Sequence, residues 1–492
     1  MGLLFFADTF DFTYFWAAIF QIGVVGALIL LGNIIRRKTP FLRNYLMPTG
    51  LIAGFIGLGA KYLFNGIGLE IAGTPVINEE YMHYLTYHSL AIGFIALGLI
   101  TAAKKQVKDG RALKSGILIV GGYLIQGIVG VALSLLVGLI FAGSAIAAAP
   151  YAGILLPLGF GQGPGQAGNI GGVYETIDGA NALVGGRDFG LSVAAMGFIF
   201  AAIVGTIILN VVARKGLVTR THSNTVETFG DLEKSAHLHD HPEEIPVVES
   251  VDKFTIQVSF VLATYLITFA VISLVSFLIV DLAGIQAVLG IIWGFNFLFA
   301  ILVTMLIKVI LNLLRKWGVM KRRYINNYMQ NRIAGFAFDF MITTGIMSIN
   351  FGKLSDPSFW VLLGLMTIFG GAATFFYINF IAKKYFPATR WYTFFGFFGM
   401  LTGTASEGVA LLREIDPNFQ TGVAEDLVNG SGMAAIFGAP MLIITTFIYQ
   451  GTMWFWISVG LLVVLFIAML LFIHLFTMAK NKKLAKEEVV SE

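Results

Sequence analysis

The chain of 492 residues contains no cysteine, which excludes disulfide bonds, iron–sulfur clusters and thiolate zinc sites. Charged residues are also scarce. They make up 12% of the sequence, whereas a soluble domain carries about a quarter. Hydrophobic residues account for 57%. A single globular core would not bury so much apolar chain, so we expect long stretches to face lipid.

Motifs of catalytic sites are missing as well. No His-Glu-x-x-His sequence occurs, and without cysteine there is no thiol nucleophile. The glycine-rich runs contain no Gly-Lys-Ser/Thr of a phosphate-binding loop. We therefore expect no enzyme. The net charge of +4 lies mostly in short loops, where basic residues set membrane topology, so a nucleic-acid partner is not expected either.

The apolar stretches run about 20 residues, the length of a membrane-spanning helix. They lack the alternation of barrel strands, and in lipid the backbone must be hydrogen-bonded within helices or a closed barrel. The sequence therefore predicts an all-α membrane protein. Spans are expected near residues 13–35, 44–64, 81–103, 114–142, 189–213, 254–280, 285–314, 329–351, 357–382, 422–448 and 453–478.

Two further segments each place two short apolar pieces around a polar, glycine-rich centre, at 148–180 and 387–416. Four spans, one broken segment and one span precede a polar stretch, and the same order follows it. This order predicts an inverted repeat of five transmembrane helices plus one re-entrant hairpin per half, with an extra C-terminal helix (about 11 spans). The predicted parts are the first repeat 1–213, a cytoplasmic linker 214–253, the inverted repeat 254–448, the extra helix 453–478 and a cytoplasmic tail 479–492.

The positions of the Lys- and Arg-rich loops give an independent test of this predicted topology. Lys and Arg cluster near residues 36–43, 104–114, 214–220, 315–323 and 383–384 and in the tail. In the 65–80 loop, by contrast, every charged residue is acidic. If the N-terminus is outside and both broken segments are re-entrant, every basic loop is cytoplasmic. We therefore expect a bacterial inner-membrane protein with its C-terminus in the cytoplasm. Hairpin 148–180 then enters from outside and hairpin 387–416 from the cytoplasm.

The linker contains His237, His239 and His241. Its composition predicts a solvated loop. The alternative is a metal site, which would need a fourth ligand at the usual spacing.

The two glycine-rich centres are the candidate binding site. Glycine permits a sharp reversal of the chain, and a reversal at membrane depth leaves carbonyl groups for Na⁺ and helix N-termini for an anion. The alternative is close helix packing through small residues. The candidate residues are Gly161, Gln162, Gly163, Gly165, Gln166, Gly168 and Asn169 in hairpin one, and Thr402, Gly403, Thr404, Ser406 and Glu407 in hairpin two.

Three polar residues add to this site. Glu407 is an acid at a tip, which could coordinate Na⁺, carry a proton or pair with Arg413. Asp339 lies inside an apolar span, where it could be functional or could pair with a neighbouring helix. Asn429 lies in a Gly/Ser-containing stretch, 429–433, that we expect to break the span near 422–448.

At the hairpins the chain resembles the sodium/glutamate symporter family. Gly161-Gln-Gly-Pro-Gly-Gln-Ala-Gly168 followed by Tyr174-Glu175 is similar to the family's first re-entrant motif. Gly399-Met-Leu-Thr-Gly-Thr-Ala-Ser406 is similar to the second. Looser likeness covers residues 41–54 and 432–440. The chain departs from the family in lacking the histidine of the first loop and the Thr-Pro-Thr of the second.

The resemblance implies Na⁺-coupled uptake of glutamate, a homodimer and an elevator-type alternating-access mechanism. We therefore expect a symporter of glutamate or a related carboxylate-bearing solute, with both tips closing around solute and Na⁺ at one site. No cofactor is expected besides Na⁺ as coupling ion, and the other partner is membrane lipid. The alternatives are a Na⁺- or H⁺-coupled transporter of another organic anion or amino acid, or a passive channel.

Overall fold

The computed structural model describes residues 12–71, 74–100, 110–177, 182–220, 252–284, 289–320, 322, 324–417 and 419–491. Most of the predicted linker, with His237, His239 and His241, lies outside the described residues. Residues 178–180 of the first hairpin also lie outside them.

The described chain is helical almost throughout. The α-helices before the linker are α1 (Phe12–Lys38), α2 (Pro40–Asn44), α3 (Thr49–Gly66), α4 (Glu79–Leu99), α5 (Arg111–Ile140), α6 (Ala145–Ala148), α7 (Pro164–Glu175) and α8 (Gly186–Arg214). Those after it are α9 (Lys253–Ser276), α10 (Leu289–Gly294), α11 (Asn296–Lys316), α12 (Asn327–Ser348), α13 (Pro357–Leu365), α14 (Gly371–Tyr385), α15 (Arg390–Thr402), α16 (Ala405–Arg413), α17 (Val423–Phe437), α18 (Ala439–Phe447) and α19 (Thr452–Ser491).

Short 3-10 and π-helical turns extend or precede several of these helices. They lie at Pro150–Ile154, Pro157–Gly161, Phe277–Leu282, Phe351–Leu354, Met366–Gly370 and Pro387–Thr389. Two strands of two residues, β1 (Glu70–Ile71) and β2 (Thr74–Pro75), pair antiparallel. The predicted all-α class is confirmed for the described chain apart from this small pair.

Among the described residues, seven helical runs are long and apolar enough to cross a membrane. They are Trp16–Lys38, Arg111–Ile140, Gly186–Arg214, Lys253–Leu282, Asn296–Lys316, Pro357–Tyr385 and Thr452–Ala479. The bent pair formed by α17 and α18 adds an eighth if it is one span. The chain therefore has the character of a multi-pass membrane protein. The predicted spans near 44–64, 81–103 and 329–351 are also helical, as α3, α4 and α12, but are not among the seven.

The expected break of the span at 429–433 is wrong. Helix α17 runs through these residues without interruption, and the chain bends by 53° only between α17 and α18. Pro440 lies in the first turn of α18. Because proline has no N–H for the preceding turn and its ring crowds that turn, it accounts for the bend better than the small residues Asn429 to Met433.

Polar N-caps define where several helices begin. The side chain of Asn78 accepts hydrogen bonds from the amides of Glu80 and Tyr81 at the start of α4. Asp252, Asn326 and Asp356 cap α9, α12 and α13 in the same way. A cap satisfies amides that have no partner within the helix.

The chain forms two compact units. Unit 1 comprises Met1–Thr101, Pro164–Val173 and Thr225–Lys353, and unit 2 comprises Ala102–Gly163, Tyr174–Asn224 and Leu354–Glu492. The units do not follow the predicted halves. Unit 1 contains the first three predicted spans of each half. Unit 2 contains the remaining spans, hairpin two and the first arm of hairpin one.

In unit 1, α12 packs against α3 through small residues. An added methyl group at Gly50 would lie 2.9 Å from the carbonyl oxygen of Asp339, and one at Gly54 would lie 2.8 Å from Cβ of Ile346. The other side of α12 packs against α4, where a methyl group at Gly93 would lie 2.7 Å from the ring of Phe338. These contacts require glycine, because a larger side chain would separate the helices.

Lys61 of α3 is a buried cation in unit 1, with 3% of its surface exposed. Its Nζ donates to the carbonyl oxygens of Ser348 (3.0 Å) and Ile349 (2.8 Å) at the end of α12. It also lies 3.7 Å from the carboxylate of Glu79. The last carbonyl groups of a helix have no intrahelical donor, so Lys61 closes the C-terminus of α12.

The substitution Lys61→Met should lower the free energy of unfolding by about 1–3 kcal/mol, because it leaves buried carbonyl groups without a donor. Thermal unfolding of the purified protein in detergent measures the change. Lys316→Met, at the exposed end of α11, is the matched control and should unfold as the wild type does. Equal unfolding temperatures for the two variants would contradict this role of Lys61.

Candidate functional site

Hairpin one turns back after a short apolar arm. The arm Pro150–Gly161 has 12 residues, which at the rise of an α-helix is about 18 Å, against about 30 Å for a hydrocarbon core. Gly163 follows with φ +89°, a conformation that favours glycine. The rings of Tyr151 and Tyr174, at the two ends of the segment, have centroids 5.0 Å apart. The segment therefore returns to where it began.

Hairpin two consists of α15 and α16, with the break at Gly403 and Thr404. The two arms approach closely at glycines. A methyl group at Gly399 would lie 2.7 Å from Cα of Gly408, and one at Gly408 would overlap the carbonyl oxygen of Gly396. Residues on either side of the turn thus face each other, so the arms run antiparallel with their backbones in contact.

Both hairpins use α8 of unit 2 as a support. A methyl group at Gly197 would lie 2.6 Å from the carbonyl oxygen of Thr402 and 2.9 Å from the ring of Phe160. One at Gly159 would lie 2.7 Å from the side chain of Val193. The first arm of hairpin one and the tip of hairpin two therefore pack on the same helix.

Two polar side chains of α5 join these elements. The hydroxyl group of Tyr123 donates to the carbonyl oxygen of Gly161 at 3.3 Å. The amide nitrogen of Gln126 donates to the carbonyl oxygen of Leu401 at 2.7 Å and to the hydroxyl group of Thr374 at 2.8 Å. Carbonyl groups at the interrupted ends of both arms thus receive donors from one helix, which fixes the tips relative to each other.

Sequence reasoning missed Tyr123, Gln126 and Thr374. A signal for Gln126 was present, because an amide inside an otherwise apolar span needs a partner. Its Oε1 is buried and has no hydrogen-bond partner among the described residues.

Glu407 is buried at the tip of hairpin two, with 4% of its surface exposed. It lies in the first turn of α16, and its carboxyl group occupies the space where Gly403 would carry a side chain. Neither carboxyl oxygen reaches hydrogen-bond geometry with any described residue. The backbone amide of Thr404 faces the group and interacts with it electrostatically.

The expected alternative of an ion pair between Glu407 and Arg413 is wrong. Within the described chain no such pair occurs, and the guanidinium group of Arg413 lies 5.6 Å from the ring centroid of Phe419.

The other predicted residues of hairpin two differ in exposure. Thr402 is fully buried, and its hydroxyl group donates to the carbonyl oxygen of Phe398 at 2.6 Å. Thr404 is half-buried and Ser406 is exposed. In hairpin one, Gly161 and Gly163 are buried and Gln162 is half-buried. The structure thus brings Gly161, Thr402, Gly403 and Glu407 into the same part of unit 2.

The remaining candidates of hairpin one lie on α7, within Pro164–Val173 of unit 1. They are Gly165, Gln166, Gly168 and Asn169. Gly165 packs against Met341 and Leu90. Oε1 of Gln166 and Nδ2 of Asn169 are buried without a hydrogen-bond partner among the described residues. That both tips hold one solute stays a prediction.

The last two predicted site residues lie on other helices, Asp339 on α12 of unit 1 and Asn429 on α17 of unit 2. The charge of Asp339 interacts with that of Arg36 at the end of α1, within unit 1. Both alternatives for Asp339, a functional role and pairing with a neighbouring helix, stay predictions. Asn429 lies half-buried in the middle of α17, within unit 2.

The substitution Gln126→Met should destabilise hairpin two, because the carbonyl oxygen of Leu401 loses its donor inside the protein. We expect a loss of about 1–3 kcal/mol and faster amide hydrogen exchange across residues 390–413. The control is Gln450→Met, which removes an exposed hydrogen bond to the carbonyl oxygen of Thr446. Exchange in 390–413 as slow as in that control would show that Gln126 does not hold the hairpin.

No model of a known protein family matches the chain, and no curated protein matches it significantly. The likeness to the sodium/glutamate symporters therefore rests on the hairpin motifs themselves.

Proposed function

We propose that the chain is a secondary active transporter of a bacterial inner membrane, which couples Na⁺ to the uptake of glutamate or a related carboxylate-bearing solute. One observation carries the proposal. The first arm of each glycine-rich hairpin ends at a break in the helix. Tyr123 and Gln126 of α5 donate hydrogen bonds to carbonyl groups at these two breaks, and the buried carboxyl group of Glu407 lies at the second one. Interrupted helices in an apolar protein are the usual place for a solute and its coupling ion.

The chemistry of the breaks fits such ligands. The N-terminus of α16 presents amide groups, which suit a carboxylate. The end of α15 presents carbonyl oxygens, which suit Na⁺. The carbonyl oxygen of Leu401 already accepts a hydrogen bond from Gln126, so neighbouring oxygens would bind Na⁺.

The division into compact units supports the inverted repeat. Each unit contains equivalent pieces of both predicted halves, three spans of each half in unit 1 and the fourth and fifth spans of each half in unit 2. A duplicated and inverted ancestor would produce this symmetry of parts. The homodimer and the elevator-type movement implied by the family resemblance stay predictions.

The second candidate is an H⁺-coupled transporter of another organic anion or amino acid. Glu407 favours it, because an ionised carboxylate beside the N-terminus of α16 would repel an anionic solute. A passive channel is the third candidate, and carbonyl-lined loops are compatible with it.

The topology can be tested by cysteine labelling, since the chain has no native cysteine. A re-entrant hairpin returns both of its ends to one side. We expect Ala142→Cys and Val184→Cys to react with an impermeant maleimide from outside. Lys384→Cys and Pro417→Cys should react only from the cytoplasm. All four positions are exposed. Labelling of the two ends of either hairpin from opposite sides would overturn the repeat.

Transport can be tested in proteoliposomes with glutamate as the probe. An inward Na⁺ gradient should drive saturable uptake. Gly403→Ala should weaken glutamate binding by about 5- to 150-fold, because the methyl group displaces the carboxyl group of Glu407 at a cost of about 1–3 kcal/mol. Gly364→Ala, where an added methyl group meets no atom, is the control. Unsaturable flux would indicate a channel, and wild-type uptake by Gly403→Ala would contradict the site.

A further inference from the structure

The surroundings of Glu407 differ from those of two other acids of unit 2, Asp426 and Glu414. Asp426 forms an ion pair with Arg111 at 2.6 Å, and Glu414 forms one with Arg220 at 2.8 Å. Glu407 is as buried as Asp426 but has no cation beside it among the described residues. An acid that is buried without a counter-charge requires its own explanation.

The elements packed against α16 supply no charge to Glu407. These elements are α15, α17 and α8. Their charged and titratable groups, with that of α16 itself, are Arg390 and Tyr392 on α15, Glu425 and Asp426 on α17, Arg187, Asp188 and Arg214 on α8, and Arg413 on α16. None of them forms an ion pair or a hydrogen bond with Glu407 within the described residues, and the backbone amide of Thr404 interacts with the carboxyl group.

The free-energy cost of burying a charge determines whether the carboxyl group of Glu407 is protonated. An ionised carboxylate removed from water without a counter-charge costs several kcal/mol, even after the protein relaxes. A group in that position takes up a proton instead. In the arrangement described here, Glu407 is therefore a neutral carboxylic acid.

The same segment also stabilises the ionised form when water reaches it. Thr404-Ala-Ser-Glu407 has the spacing of a capping box, in which the acid at the third helical position reaches back to the amide of the N-cap residue. A negative charge in the first turn of a helix is also favourable. Opening of the tip to water would therefore convert a stable acid into a stable carboxylate, without any change in the covalent structure.

We propose that Glu407 is a proton-carrying site and that H⁺ is a coupling ion of this transporter. This inference rests on the proposed transport function. When the tip opens to one side, the carboxylate takes a proton from water and an O–H bond forms. The neutral acid is buried as the tip closes. When the tip opens to the other side, that bond breaks and the proton leaves to water. No electrons are transferred, and no other reactant is required.

The test compares glutamate uptake with and without an inward proton gradient, in proteoliposomes with equal Na⁺ concentrations on both sides and held at zero membrane potential. For wild type, a gradient of one pH unit should support up to about tenfold accumulation if one proton moves with each solute. In Glu407→Gln the ratio of uptake with the gradient to uptake without it should fall to one. Glu425→Gln removes an exposed acid of α17 and should keep the wild-type ratio. A gradient response retained by Glu407→Gln would overturn the proposal.

A second measurement does not depend on transport. Infrared difference spectroscopy of the purified protein should show the carbonyl stretch of a protonated carboxyl group at neutral pH. That band should be lost in Glu407→Gln and kept in Glu425→Gln. Absence of the band from wild type would overturn the proton site and leave Na⁺-coupled transport standing. Presence of the band with no glutamate transport under any gradient would instead contradict the proposed function.

Discussion

The structure depends on which groups hydrogen-bond to the backbone where helices end inside an apolar protein. Each hairpin ends its first arm at a break, and the carbonyl groups there have no next helical turn to bind. Tyr123 and Gln126 supply donors to two of these groups, at Gly161 and Leu401. Without such donors, each buried carbonyl group left unpaired would cost about 1–3 kcal/mol. The polar residues of α5 therefore permit the glycine-rich tips to exist.

Glycine solves the complementary steric problem. Gly396, Gly399 and Gly408 let the arms of hairpin two touch along their backbones, and Gly130 and Gly153 do the same between α5 and the first arm of hairpin one. The sequence reasoning set binding against close packing as alternatives for glycine-rich segments. Close packing holds where these glycines meet, so they have a structural role in the hairpins. Polar groups that the packing leaves without a hydrogen-bond partner among the described residues, such as the carboxyl group of Glu407, are further candidates for a role in binding.

Much of the fold could be predicted from composition and order. Long apolar runs predict helices wherever they occur, and glycine-rich centres locate both hairpins to within a few residues. The bend at Pro440 was misplaced because small residues resemble a break in a hydropathy profile, although only proline removes a backbone donor. The partners of Gln126, which are Thr374 and Leu401, could not be predicted. They come from residues far away in the chain, and one sequence carries no information about which helices meet.

The mixed origin of the two units has a consequence for biosynthesis. Unit 1 needs chain from both Met1–Thr101 and Thr225–Lys353, and unit 2 needs chain as far as the last helix. Domains usually fold as units while the chain emerges, but here neither unit is complete when the first half leaves the ribosome. Until the second half is inserted, the small-residue faces of α3 and α4 therefore lack α12, the helix against which they pack. A truncated first half would carry Lys61 without the helix end that it binds, so we expect such a fragment to be a substrate for quality-control proteolysis.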